Sequence, residues 1–281
     1  MHGPSLLARF LETPGAPDKN GISWQYNSRS DRHSKVGCWG VALDLLANSS
    51  LLRAHASDGK VILGVNHKMR DFETSREKRL DLVIARPESN QRSHGSLRSL
   101  VTDYGIPLNV DEQHLLNSLP DITVAPVGAV LVALEAKAAM TAHVKAKPRL
   151  YDELNSSHLC VHGSSAQALA IAYVQINSAD RFVSSVTNAG LTLGRQSTYS
   201  QHNQPHATQE ILGKIAELPR RTGTQGTGFD GIGVTVLNFA NDGGFVQLVE
   251  GPPAPPHGSQ FDYSSMIIRM AHEYDSRFHG V

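Results

Sequence analysis

Cysteine is scarce: only Cys38 and Cys160 occur, far apart and each in an apolar setting. They form no CxxC pair and no zinc framework, so buried free thiols are expected in place of a disulfide scaffold or a metal knuckle. Long hydrophobic runs are missing as well. No apolar stretch approaches the roughly 20 residues that span a bilayer. The first residues, MHGPSLLARFLETPGAP, have neither the basic start nor the apolar centre of a signal peptide, and a cytoplasmic protein is expected. Charge of one sign is lacking too, with 26 Lys plus Arg against 26 Asp plus Glu. That argues against a chain that coats a polyanion over its whole surface, but a local basic stripe remains open. The 14 histidines are scattered, and none falls in HExxH spacing.

Several familiar site signatures are also absent. The run containing Gly223, Gly226 and Gly228 lacks GxxxxGK[ST], and no GxGxxG stands between a strand and a helix, so a flexible loop is expected there. No GxSxG elbow occurs. His33-Ser34-Lys35 opens like the HxK of phospholipase D-type nucleases, but Gly40 stands where the acid should follow. His33 and Lys35, beside Arg29 and Arg32, read as a phosphate-contacting patch at a helix start, or as solvated side chains.

What is present is an ordinary globular composition, 40% hydrophobic and 19% charged over 281 residues, enough to bury a large core. Residues 1–34 look irregular apart from a short helix around Leu6 to Leu11. Lys35 to His55 reads as one mostly buried helix, with Ser34 as N-cap. Asp44 sits among its apolar positions, either at a solvated or hydrogen-bonded edge or aimed at a metal site. Lys60 to Val65 and Leu80 to Pro87 read as neighbouring strands of one sheet, in the manner of a hairpin, joined by a charged connector. Residues 88–126 form a polar insertion with a short helix capped by Asp111.

Val127 to Ala139, VGAVLVALEAKAA, opens as an unbroken apolar run and reads as a strand buried on both faces. Glu135 and Lys137 lie two apart at its end, hence on one face. A buried carboxylate and ammonium must find each other, a metal or solvent. A basic run follows, with Lys145, Lys147 and Arg149 after Lys137. Ser164 to Ile176 is apolar, with the period undecided between helix and strand. Beyond it come a helix at Ala207 to Leu218, a hairpin turning at Asn241-Asp242-Gly243-Gly244, and the stiff GPPAPPHG. An amphipathic helix follows, with Met266, Ile267, Met270 and Tyr274 at helical spacing.

Asp81 in RLDLVIARP, followed by Glu135-Ala136-Lys137 in LVALEAK, resembles the PD-(D/E)XK nuclease superfamily, which includes many type II restriction endonucleases. Leu80 stands where the family has proline, and the insertion lengthens the gap between the two motifs. The resemblance implies a restriction-endonuclease-like α/β core over 35–190, a central mixed sheet flanked by helices, with 191–281 as a C-terminal extension. It implies Mg²⁺ bound by Asp81, Glu135 and the Ala136 carbonyl, with Lys137 handling the attacking water. Asp44 is the positional candidate for a further acid. The implied activity is endonucleolytic cleavage of double-stranded DNA by a homodimer. Loops 88–120 and 195–230, polar and rich in Arg, Gln and Asn, are where base contacts are expected. Three other readings stay open: a surface ion pair at a strand end, a non-catalytic DNA-binding or assembly module on the same core, and an unrelated α/β enzyme with its site in the glycine-rich region.

Overall fold

The computed structural model describes residues 1–72, 74–88 and 93–281. Helix α1 (Gly3–Glu12) starts with Pro4 in its first turn and buries Leu6, Leu7, Phe10 and Leu11 on one side. It packs against α2 (Arg32–Asn48), so the segment expected to be mostly irregular already contributes to the core. The crossing is tight because both contact residues lack a side chain: a Cβ on Gly40 would come within 2.8 Å of the Gly3 Cα.

The block expected as one helix is two. Helix α2 begins at Arg32, with Asp31 rather than Ser34 at the cap position, and ends at Ser49. There the chain extends, and the Ser49 hydroxyl accepts the Leu52 N–H at 2.9 Å to start α3 (Ser50–Ser57). Strands β1 (Ile62–Arg70) and β2 (Glu77–Pro87) form the expected antiparallel hairpin, in register from Ile62↔Ala85 to Arg70↔Glu77. Most of the presumed connector is therefore strand, and its residue Glu73 lies outside the described residues.

The insertion carries α4 (Ser99–Tyr104) and α5 (Val110–Ser118). Asn109, not Asp111, caps α5, in a reciprocal box with Glu112. Strand β3 (Val127–Ala139) follows with the expected bounds. The basic run after it lies within the 22-residue helix α6 (His143–Ser164), which bends the chain back to β4 (Leu169–Asn177). The undecided apolar block is thus a strand, buried at every position. Next come the two-residue strands β5 (Arg181–Phe182) and β6 (Ser200–Gln201), then α7 (His206–Ala216), β7 (Gly231–Asn238), β8 (Gln247–Leu248) and α8 (Tyr263–Arg277).

The main sheet has the order β1-β2-β3-β4-β7-β8. Its β1-β2-β3 half is antiparallel and its β3-β4-β7 part parallel, which makes a mixed sheet in an α/β fold. Because β7 pairs with β4 along seven residues, the stretch expected as an extension belongs to this sheet. The C-terminal hairpin shrinks to two β7–β8 pairs. One face packs on α1, α2 and α8 through Leu7, Leu43, Met266 and Tyr274. The other packs on α6 and α7 through Leu150, Leu154, Ile211 and Ile215. Cys38 and Cys160 are buried free thiols, as expected. Among the described residues, no helix is long and apolar enough to cross a membrane.

Candidate active site

Strands β2 and β3 run together only as far as Leu82↔Leu134. Beyond that pair β2 stays with β1, and β3 stays with β4, so a notch opens in the middle of the sheet. A parted ladder leaves backbone groups to be satisfied another way. The Asp81 carboxylate does so, accepting the Ala136 N–H at 2.9 Å. In an extended strand the N–H and C=O of one residue leave on the same edge, so the Ala136 carbonyl also leaves toward the notch. Burial raises the Asp81 pKa, with the Ala136 N–H and the Lys137 charge opposing the rise.

Glu135 lies beside it at 3% exposure. Its Oε1 is 2.6 Å from the Lys137 ammonium, which realises the ion pair expected from their two-residue spacing. Its Oε2 is buried without a hydrogen-bond partner. Burial pushes the Glu135 carboxyl up, Asp81 adds to the rise, and Lys137 works against it. The ammonium has a second partner, Glu153 of α6, at 3.3 Å. Burial disfavours the Lys137 charge, yet the Glu135 carboxylate raises its pKa to about 12. Glu153 is partly buried as well, but the Arg149 hydrogen bond at 2.6 Å and the Lys137 charge bring it below the usual carboxylate range. Three carboxylates against two cations leave this cluster one formal charge negative when all are ionised.

A cleft of about 760 Å³ opens over Asp81, Ala136, Lys137 and Glu153. Its rim carries Arg29 and Asp31 from the segment leading into α2 and His33 from that helix's first turn, with Lys145 and Arg149 from α6. Of the expected phosphate patch, Arg29 and His33 do face the cleft. Arg32 instead lies over the Phe10 ring at 4.8 Å, and Lys35 pairs with Asp31 at 2.8 Å. Burial pushes the His33 pKa down to about 4, so its ring is neutral near pH 7. Of the basic run, Lys147 turns away to Glu210 on α7 at 3.3 Å.

Asp44 does not join the cluster. Helix α2 is buried on all sides, and at this turn it faces α1 and α8 rather than the notch. The Asp44 carboxylate accepts the N–H groups of His2 and Gly3 and the Tyr263 hydroxyl, each near 2.9 Å. The acid that α2 does bring to the cleft is Asp31, thirteen residues earlier. Glu153 also went unseen in the sequence, although its i,i+4 spacing from Arg149 was a usable signal. Of the loops expected to contact bases, the described part of 88–120 does not line the cleft, and residues 89–92 lie outside the described residues. From 195–230 only Ser200, Gln201 and His202 reach it.

The donor set at the notch suits a hard divalent cation, which takes carboxylate and carbonyl oxygens. The unpartnered, buried Glu135 Oε2 is an acceptor in want of such a ligand. Among the described residues, no group of three or more His, Cys, Asp or Glu converges as a metal cage. Comparison with family models, with curated proteins and with solved structures found no match to this chain.

Proposed function

We propose that this chain is a Mg²⁺-dependent endonuclease that hydrolyses DNA phosphodiester bonds. The observation that carries the reading is the meeting of Asp81 with Glu135-Ala136-Lys137 at the parted strands, across 55 residues of sequence. A surface ion pair explains this poorly, because Glu135 is buried and one of its oxygens has no donor.

A cation at the notch would be held by Asp81, Glu135 and the Ala136 carbonyl, with water and a phosphate oxygen completing its shell. When bound, it supplies Lewis acidity at the phosphoryl oxygen and a lowered pKa for bound water. The protein's own groups do the rest. Lys137 stays charged and faces the cleft, where it orients the attacking water and offsets the charge that develops on the phosphate. Glu153 holds the Lys137 ammonium from the α6 side, and Arg149 keeps Glu153 ionised for that task. Arg29 and Lys145 carry the positive charge that seats the phosphate backbone. One site cuts one strand, so a two-fold pair of chains would cut both.

Plasmid cleavage with Mg²⁺ tests the reading. Wild type is expected to nick or linearise DNA, and Asp81→Ala, Glu135→Ala and Lys137→Ala to be inactive. Cleavage that persists in all three variants would sink it. A sedimentation mass of one chain, both free and on DNA, would remove the dimer.

A further inference from the structure

Strand β3 divides its last side chains between two helices. Glu135 and Lys137 lie on the face covered by α6, where Lys137 meets Glu153, whereas Leu134 and Ala136 lie on the face covered by α2. The cleft spans that boundary, because His33 from the first turn of α2 lines it together with Lys137. Lys137 and His33 therefore reach the notch from opposite faces of the sheet.

The start of α2 is fixed in this place. Gln175 of β4, fully buried opposite Ala138, donates to the His33 carbonyl at 3.2 Å. Gly37 lets the helix settle onto that strand, since a Cβ there would collide with the Gln175 amide and the Tyr173 ring. The His33 ring leans on the Tyr26 ring, their centroids 4.8 Å apart. Tyr26 is held in turn by Asn241, which accepts its N–H at 2.8 Å and donates to its carbonyl at 3.0 Å.

The ring so positioned has no task inside the protein. Among the described residues, neither of its nitrogens has a hydrogen-bond partner or is sealed from solvent. Burial keeps it neutral near pH 7, with Asp31 opposing that effect and Lys137 adding to it. A neutral imidazole carries one N–H donor and one acceptor. Displacement at phosphorus runs in line, so the leaving oxygen departs on the side away from the attacking water.

We infer that His33 donates an N–H hydrogen bond to the leaving oxygen of the cleaved phosphodiester. The inference rests on the endonuclease reading, in which Lys137 orients the water, and it adds the group on the far side of the phosphorus. The water oxygen bonds to phosphorus, and a proton from it passes to solvent. The P–O bond on the far side breaks with its electron pair left on oxygen, which takes a proton from solvent. The His33 N–H stays on its nitrogen and stabilises the charge as it develops. A neutral donor gains most when that charge appears, so its loss belongs in the rate and not in affinity.

Single-turnover nicking of plasmid with Mg²⁺ and excess protein tests this, beside duplex binding in EDTA. The proteins are wild type, His33→Ala, His33→Phe, His33→Asn, His33→Gln and Glu135→Ala. Phe keeps a ring against Tyr26 but has no donor, while Asn and Gln put an amide N–H near the Nδ1 and Nε2 positions. His33→Ala and His33→Phe are expected to slow cleavage by about 100- to 1,000-fold, the loss for one such donor. Both should bind duplex as wild type does, which also reports that they are folded. Asn or Gln should restore part of the rate, and the one that does so identifies the donating nitrogen. Full activity in the Phe variant, or recovery by neither amide, overturns the inference. So does a loss confined to duplex affinity, which would make His33 a phosphate anchor. No cutting by wild type, or equal cutting by wild type and Glu135→Ala, overturns the endonuclease reading, and the inference falls with it.

Discussion

Asp81 accepts the Ala136 N–H at 2.9 Å, at the point where β2 leaves β3. The same carboxylate therefore has two duties, mending the parted ladder and, in the proposed reaction, binding a cation. Two substitutions separate them. Asp81→Asn keeps an oxygen for the N–H, whereas Asp81→Ala leaves that donor unpaired. Unfolding in urea should place the Asn variant within about 0.5 kcal/mol of wild type and the Ala variant about 1–2 kcal/mol lower. Both should lose Mg²⁺-dependent cleavage. An active Asn variant would mean that the charge is not used.

Glu135 makes the metal-free site sensitive to pH. Burial raises its carboxyl from an ordinary 4.5 to about 7. Between those values the folded chain binds more protons than the unfolded chain, so stability falls as pH rises. The loss is complete once pH passes about 7. Glu135→Gln removes the titrating group and keeps an oxygen for Lys137. At pH 8 in EDTA it should be more stable than wild type, by about 2–3 kcal/mol at most. At pH 4 the two should converge. Adding Mg²⁺ at pH 8 should raise the urea midpoint of wild type and not of the variant. Parallel pH–stability curves would contradict the burial argument.

Lys137 bridges Glu135 and Glu153 at 2.6 and 3.3 Å. If Glu153 positions the ammonium, its removal should lower kcat more than it changes KM. We expect Glu153→Ala to lose about 10-fold in kcat, a tenth or less of the general-acid/base effect lost in Lys137→Ala. Glu153→Gln should recover part of it, since its amide oxygen still accepts from Lys137. A raised KM with unchanged kcat would instead assign Glu153 to substrate binding.

How much of this could be read in the chain varied with the kind of signal. The β3 bounds were legible because apolar content and strand ends coincide at Val127 and Ala139. The Glu135–Lys137 pair was legible because two-residue spacing fixes a shared face. Helix α6 was not: Pro148 and a string of cations disguise a 22-residue helix whose stability comes from Leu150, Leu154 and Val161 packing on the sheet. Glu153 was hidden with it. The place of β7 was hidden for another reason, since the pairing of strands 60 residues apart is a tertiary choice that no local pattern records. Asp44 shows the limit of position alone. A carboxylate on a helix that is buried all round can face any neighbour, and it met α1 and α8.

Asp44 gives a converse prediction, of stability without chemistry. Asp44→Ala strands two backbone donors at the start of α1 and the Tyr263 hydroxyl, around a side chain that is itself fully buried. Hydrogen bonds to a charged acceptor contribute about 1.5–3 kcal/mol each and are not additive, so a total loss of about 3–5 kcal/mol is expected. Cleavage per folded molecule should be unchanged at a temperature where the variant is folded. A variant that is stable but inactive would return Asp44 to the site.

The cleft cations Arg29 and Lys145 should show themselves in salt dependence. Each phosphate contact by a lysine or arginine releases about one counterion, so deleting one contact lowers the slope of log K against log salt by about 1. Duplex binding by the Glu135→Gln protein in EDTA isolates this step from cleavage. Lys145→Ala and Arg29→Ala should each flatten the slope by that amount, and equally on every DNA sequence. Lys147 is the internal control: it lies two residues from both Lys145 and Arg149, but its ammonium is spent on Glu210 across the α6–α7 contact. Lys147→Ala should leave the slope unchanged. Equal flattening by all three would mean that DNA senses only the overall charge of α6. The selective pattern would place the backbone in the cleft, because charge at that distance is distinguished only by where the side chain points.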